Sequence, residues 1–271
     1  MNVPVSYSWV TPNIQNNFIS GYGYHRVCTW SVCPRYKQRF NSIELLENDI
    51  VFLNLDYFEL FVNYLITNVP KNKFILVTQN SDRDFNNDMF QYIDNFTTKI
   101  FAINCTFSNP KVSKIPLGFN DQSTEILDQE DFTFVEKSNL IYMNFKLHHH
   151  SDRLICFNHF INFDWVDVEN GILSLKDFYD KLKTYKYCIS PRGTGIDTHR
   201  IYECLLYGVI PVVTKSPLDD LYKDLPILLV DRWEDVNYEF LIDSYQNKIS
   251  EYFIWKEKNP DWFKSKKWIK Q

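Results

Sequence analysis

Glycine is scarce in this chain, with seven among 271 residues. No Gly/Ser-rich or Pro-rich stretch divides it, so the sequence shows no linker, and no internal repeat is present. Large apolar side chains occur throughout, which argues against low-complexity disorder. No run of about 18 apolar residues exists, and that excludes a membrane-spanning helix on length alone. The start, Met1 to Trp9, lacks a basic region followed by an apolar core, so no secretory leader is expected. The six cysteines stand at 28, 33, 105, 156, 188 and 204. None forms a Cys-x-x-Cys pair and no zinc spacing emerges. The net charge is −5 with no strong basic block, which argues against a duplex nucleic-acid partner. These absences describe a reduced, cytoplasmic protein, in which the sequons at Asn95 and Asn104 carry no meaning.

What is abundant is aromatic: 17% of the residues are Phe, Trp or Tyr. With Asn, Ile and Lys also over-used, this reads mainly as the codon bias of an AT-rich genome. Strand-like and helix-like segments alternate along the chain, as an α/β layer with parallel strands requires. Ile50 to Leu55, Phe74 to Thr78, Lys99 to Ile103 and Val112 to Pro116 read as strands of a first block. Tyr57 to Thr67 and Met89 to Phe96 read as its helices. A second block has strands at Leu140 to Met143, Tyr187 to Ile189, Val209 to Val213 and Ile227 to Val230. Its helices run from Arg153 to Phe160, from the Ser174/Asp177 capping box, from Asp197 or Thr198 to Tyr207, and from Ser216-Pro217. The expected division is residues 1–135, an α/β domain; residues 136–245, a second α/β domain; and residues 246–271, a helical tail. In that tail Lys264, Lys266, Lys267 and Lys270 interleave with Trp262, Phe263, Trp268 and Ile269. Such a pattern suits either a docked amphipathic helix or weak contact with a membrane surface.

The chemistry concentrates between Ser190 and Glu203. Ser190-Pro-Arg-Gly-Thr-Gly-Ile-Asp197 joins a strand to a helix, at the strand end where open α/β sheets bind ligands. Gly193 and Gly195 can take positive φ and let backbone amides approach a ligand. The helix that follows aims its N-terminus at the same place, and a phosphate is a natural occupant. Arg192 and Arg200 can neutralise it through guanidinium forks. Arg200 and Glu203 share one helix face. Glu203 can accept from a ribose diol while Arg200 holds a diphosphate; the alternative is a surface ion pair. Arg153 is a further phosphate candidate, or else a solvated helix arginine. His148-His-His150 is an adjacent trio that can catch a metal or form a loop.

The segment Tyr187 to Val213 resembles the signature of exostosin-like glycosyltransferases: a Pro-Arg-Gly turn, an Arg-x-x-Glu helix and a Gly-x-Ile-Pro strand. Weaker likeness extends to Leu140–Arg153 and Phe74–Asn120. The resemblance implies two facing Rossmann-like domains of the GT-B type, with a sugar nucleotide held mainly by the second. Arg200 and Glu203 match the donor-binding pair, and Arg192 and Gly193 match the turn; Ser190, Thr194, Gly195 and Asp197 complete the expected donor loop. It also implies no metal and no cofactor beyond the donor substrate, because arginines and a helix N-terminus replace the metal. The expected partners are a sugar nucleotide and a glycan or other hydroxyl acceptor.

The resemblance further implies inversion at the anomeric carbon, which calls for a base in the first domain to take the hydroxyl proton. Asp56 and Asp82 follow apolar strands, and His25 sits in a Gly-containing loop. Each has a plainer alternative as a cap or loop residue. A sugar-nucleotide epimerase and a non-catalytic nucleotide- or glycan-binding protein are the competing functions.

Overall fold

The computed structural model describes residues 18–36 and 40–269. Met1–Trp9, expected to carry no leader, and Lys270 of the basic tail lie outside the described residues. The described residues up to Glu125, with Phe263–Ile269, form one compact unit, and Ile126–Trp262 form the other.

The first unit holds five parallel strands in their order along the chain: β1 (Trp30–Val32), β2 (Ile50–Asn54), β3 (Phe74–Gln79), β4 (Thr97–Ala102) and β5 (Val112–Lys114). Strands β2 and β3 are buried along their whole length. That is why they read as unbroken apolar runs rather than as alternation. Helices α1 (Gly21–His25), α2 (Phe58–Thr67) and α3 (Asn87–Ile93) belong here, while α4 (Asp121–Leu127) spans the division. Phe58, Phe61, Val62 and Leu65 of α2 enter one core with Val51, Leu53, Phe74 and Leu76. The Asn86 side chain caps α3 by accepting from the Met89 amide at 3.0 Å.

The second unit holds β6 (Asn139–Met143), β7 (Val166–Val168), β8 (Tyr185–Ile189), β9 (Ile210–Thr214) and β10 (Leu228–Val230). All neighbours are parallel, in the order β10-β9-β8-β6-β7. The chain leaves β6 toward one edge and then returns to build toward the other. Right-handed crossovers put α5 (Ser151–Phe160) on one face, and α6 (Leu175–Leu182), α7 (His199–Leu206) and α8 (Asp219–Tyr222) on the opposite one. Adjacent residues of β8 show both faces. The Tyr187 hydroxyl donates to the Leu241 carbonyl of α9 (Tyr238–Lys258), whereas Cys188 meets Arg200 of α7.

Lys137 ties the far ends of α6 and α7. Its buried ammonium donates to the Lys183 carbonyl at 2.7 Å and to the Tyr207 carbonyl at 2.8 Å, the C-caps of the two helices. Burial lowers its pKa to about 8.

Three expectations change. Strands β1 and β7 were not anticipated, whereas the equally short edge strands β5 and β10 were. The helix expected from Ser216-Pro217 is a single turn at α8, because the Ser216 hydroxyl accepts from the Leu218 amide and closes a local turn first. No separate tail begins at 246: α9 runs unbroken through that point and buries Leu241, Tyr245, Ile249, Tyr252 and Trp255. After it, α10 (Ser265–Trp268) lies in the first unit. Trp262 and Ile269 are buried, while Phe263 and Trp268 keep part of their surface exposed. No described helix is long and apolar enough to cross a membrane.

Gly208 ends α7 with φ +69°, and a Cβ there would stand 2.9 Å from the Phe134 ring. Gly208→Ala is expected to lower unfolding stability by at least about 1–2 kcal/mol, the cost of a left-handed L-residue alone. Chemical denaturation measures it, and an unchanged midpoint would contradict the assigned cap.

Candidate functional site

The strand order of the second unit reverses between β6 and β8. The loops leaving these two strands diverge to opposite faces and open a crevice at their carboxyl ends, the place where doubly wound sheets bind ligands. The candidate residues converge here.

Arg153, in the first turn of α5, donates from Nε to the Arg192 carbonyl at 2.8 Å and from Nη1 to the Lys146 carbonyl at 3.0 Å. It therefore clamps the loop after β6 to the loop after β8, and its guanidinium also lies over the Phe145 ring. It is not a solvated helix arginine. Arg192 curls over its own loop, donating to the carbonyls of Gly193 and Thr194 at 3.5 and 3.2 Å. The exposed Thr194 hydroxyl reaches the His149 carbonyl at 3.5 Å.

Gly193 and Gly195 do not use left-handed backbone: the positive-φ glycines among the described residues are Gly118 and Gly208. What Gly193 supplies is space, since a Cβ would come 3.2 Å from the Arg153 guanidinium. Gly195 is buried within the loop.

Arg200 reaches back across the crevice and donates to the Asn144 carbonyl at 2.6 Å, at the end of β6. Its guanidinium stacks 4.3 Å from the Phe178 ring centroid of α6. Glu203 accepts from Arg200 Nε at 3.4 Å and from the Tyr179 hydroxyl at 3.1 Å. The two side chains are 19% and 9% exposed, so the surface ion pair is excluded. Breaking such a buried pair costs about 3–5 kcal/mol, because it leaves an uncompensated charge.

Ser190 and Asp197 are placed differently from expectation. The Ser190 hydroxyl turns into the sheet and donates to the Cys188 carbonyl at 3.1 Å. Asp197 is 3% exposed. Its carboxylate accepts from the Thr198 amide at 2.9 Å, from the Tyr222 hydroxyl at 2.8 Å and from the Tyr202 hydroxyl. These partners hold both residues away from a ligand in the crevice. The capping role goes to Thr198, which takes the N-cap position of α7 without a side-chain cap bond.

Tyr179, Phe178, Tyr202 and Tyr222 complete the site and were not picked out by motif. Phe178 and Tyr179 are buried on α6, and no local pattern joins Tyr222 to a loop 25 residues earlier. His150 is spoken for: Nδ1 accepts from the Asp152 amide at 3.1 Å and starts α5. Asp82-Arg-Asp84 has the Asp-x-Asp spacing of some metal sites. Among the described residues, however, no group of three or more His, Cys, Asp or Glu could hold a metal ion.

The base candidates lie in the first unit. Asp56 is exposed, on the 3-10 turn Leu55–Tyr57 after β2, and accepts from the Ser81 hydroxyl at 2.5 Å. Asp82 is exposed in the loop after β3. His25 closes α1 among the rings of Tyr22, Tyr36 and Phe52. Its buried Nδ1 has no hydrogen-bond partner among the described residues. Burial lowers its pKa to about 4, against the opposing charge of Asp121. The imidazole is thus neutral near pH 7. Asp121 accepts from the Tyr22 amide and the Tyr36 hydroxyl, and Asn80 donates to that same hydroxyl.

With a folded pKa depressed below the ordinary 6.5, His25 takes up its proton more readily in the unfolded chain. Stability should therefore fall as the pH drops from about 6.5 toward 4. The expected result is a shallower acid slope in His25→Asn than in the parent, read from denaturation midpoints over that window. Equal slopes would contradict the burial assigned to this ring.

No protein-family model matches the chain, and no curated protein sequence matches it. Among solved structures it is similar to the pneumococcal O-GlcNAc transferase GtfA in complex with UDP and GlcNAc, at 13% identity and a TM-score of 0.41 over 83% of this chain. It is also similar to a GtfA/B complex, at 10% identity and a TM-score of 0.39 over 82% of this chain. In both, the chain spans 56% of the length of the structure it resembles.

Proposed function

We propose that this protein is a glycosyltransferase that moves a sugar from a nucleoside-diphosphate donor to a hydroxyl acceptor. The observation that carries the reading is the convergence of Arg153, Arg192 and Arg200 at the strand-order reversal between β6 and β8. Three fixed cations around a helix start suit a diphosphate, whose charge grows as it leaves. The exostosin-like resemblance of Tyr187–Val213 supports the same assignment.

In the proposed reaction the acceptor oxygen forms a bond to the anomeric carbon while the bond from that carbon to the diphosphate breaks. The leaving phosphate is met by the arginines, so the reaction is proposed to proceed without a metal. Glu203 holds the Arg200 guanidinium in place and is the proposed partner of the donor ribose. The acceptor proton passes to a base of the first unit, Asp56, Asp82 or His25, and the configuration inverts.

Arg200→Ala and Glu203→Gln are each expected to weaken nucleoside diphosphate binding by about 1.5–3 kcal/mol, roughly ten- to a hundred-fold, in titration calorimetry. Uridine, adenosine and guanosine diphosphates would serve as probes. Wild-type affinity in both variants would remove the pair from the donor site.

Asp56→Asn is expected to reduce turnover by about 10²-fold at unchanged donor affinity. Release of nucleoside diphosphate from a sugar-nucleotide panel, with and without saccharide acceptors, provides the assay. Full activity in Asp56→Asn would pass the role to Asp82 or His25. Interconversion of sugars without acceptor would identify an epimerase instead.

A further inference from the structure

We infer that Tyr222 is a positioning residue for the donor loop and acts on it through the buried carboxylate of Asp197. This rests on the reading of the β6/β8 crevice as a diphosphate site.

The loop from Ser190 to Asp197 is held near both ends, with one long bond from the Thr194 hydroxyl to the His149 carbonyl between them. Near its start, the Arg192 carbonyl accepts from Arg153 at 2.8 Å. At its end, Asp197 is buried to 3% exposure and bonded to two phenol hydroxyls, those of Tyr202 on α7 and Tyr222 on α8. A carboxylate taken out of water requires such donors, since each one lost leaves part of the charge unsolvated. Burial, and then the charge of Asp197, raise the Tyr222 pKa well above its ordinary value, so the phenol stays protonated and donates. Tyr202 is held in turn by its stacking on Trp262.

Tyr222 follows β9 and touches the loop only at this carboxylate in the hydrogen bonds described. Gly193 and Thr194 are also held by Arg192 and by the His149 carbonyl, whereas Gly195 and Ile196, next to Asp197, take their course chiefly from that second anchor. Asp197 also immediately precedes the N-cap of α7, so its position sets the direction of the helix start that would meet the phosphate. Removing one hydroxyl on α8 should therefore change what the loop binds, although that hydroxyl meets no ligand.

Two measurements on Tyr222→Phe test this. The first is titration calorimetry with uridine, adenosine and guanosine diphosphates, at a temperature where circular dichroism shows parent and variant fully folded. About a ten-fold weaker affinity for whichever diphosphate the parent binds is expected. The second needs no ligand: native-state trypsin cleavage after Arg192, relative to cleavage after Arg83 and Lys215. A several-fold rise in this ratio is expected, whereas a general loss of stability would raise all three sites together. Unchanged affinity with an unchanged ratio overturns the inference. A parent that binds none of the diphosphates overturns the donor-site reading, and the cleavage ratio still decides whether Tyr222 sets the loop. If Tyr222→Phe does not fold, Tyr202→Phe removes the other hydroxyl and is judged by the same two outcomes.

Discussion

The second unit depends on one topological constraint: the chain reverses direction across its sheet between β6 and β8. Two parallel strands side by side, with connections that leave toward opposite faces, cannot have their carboxyl ends covered by either connection. The resulting gap is bridged by polar groups. Arg153 comes from one face and Arg200 from the other, and each ends on a main-chain carbonyl of the opposing loop. The strands of the first unit follow one another in chain order. No reversal marks a crevice among its described strands, so its polar strand ends, with Asp56, Asp82 and Asn80, offer no equally definite place for a ligand.

Tyrosine has a particular electrostatic task in this protein. Carboxylates at Asp121, Asp167, Asp197 and Glu203 each accept from a phenol hydroxyl, of Tyr36, Tyr185, Tyr202 with Tyr222, and Tyr179 respectively. A phenol is a neutral donor on a large apolar body. At the buried Asp197 two such phenols therefore donate to the carboxylate without themselves bringing a second charge out of water. The aromatic content read from the sequence as codon bias thus includes side chains placed for hydrogen bonding, whatever the origin of the composition.

The alternation of strands and helices was legible because parallel strands buried on both faces leave apolar runs, as in Ile50–Asn54 and Phe74–Gln79. The loop after β8 was legible for a related reason: a strand end, a Pro-Arg-Gly turn and a helix start follow one another without interruption. Two of the four edge strands, β1 and β7, were not. In β7, Asp167 is exposed between two valines. The burial of Asp197 was illegible as well. A charged residue before a helix is ordinarily a solvated cap. Here its partners come from Tyr202 and Tyr222, and only folding brings Tyr222 beside it. The glycines misled in one respect, because Gly193 gives room to Arg153 rather than taking a left-handed turn.

The buried amine of Lys137 has a mechanical meaning. The last turns of α6 and α7 end on one nitrogen atom, which donates to both the Lys183 and the Tyr207 carbonyls. Two rods joined at such a rivet cannot slide along one another like loose blades without breaking a bond, and the Glu203–Tyr179 hydrogen bond joins them again further along. Phe178 and Tyr179 ride on one blade, and Arg200 and Glu203 on the other, toward the open end. Lys137 at one end and these two contacts toward the other thus hold α6 and α7 at one separation and one register.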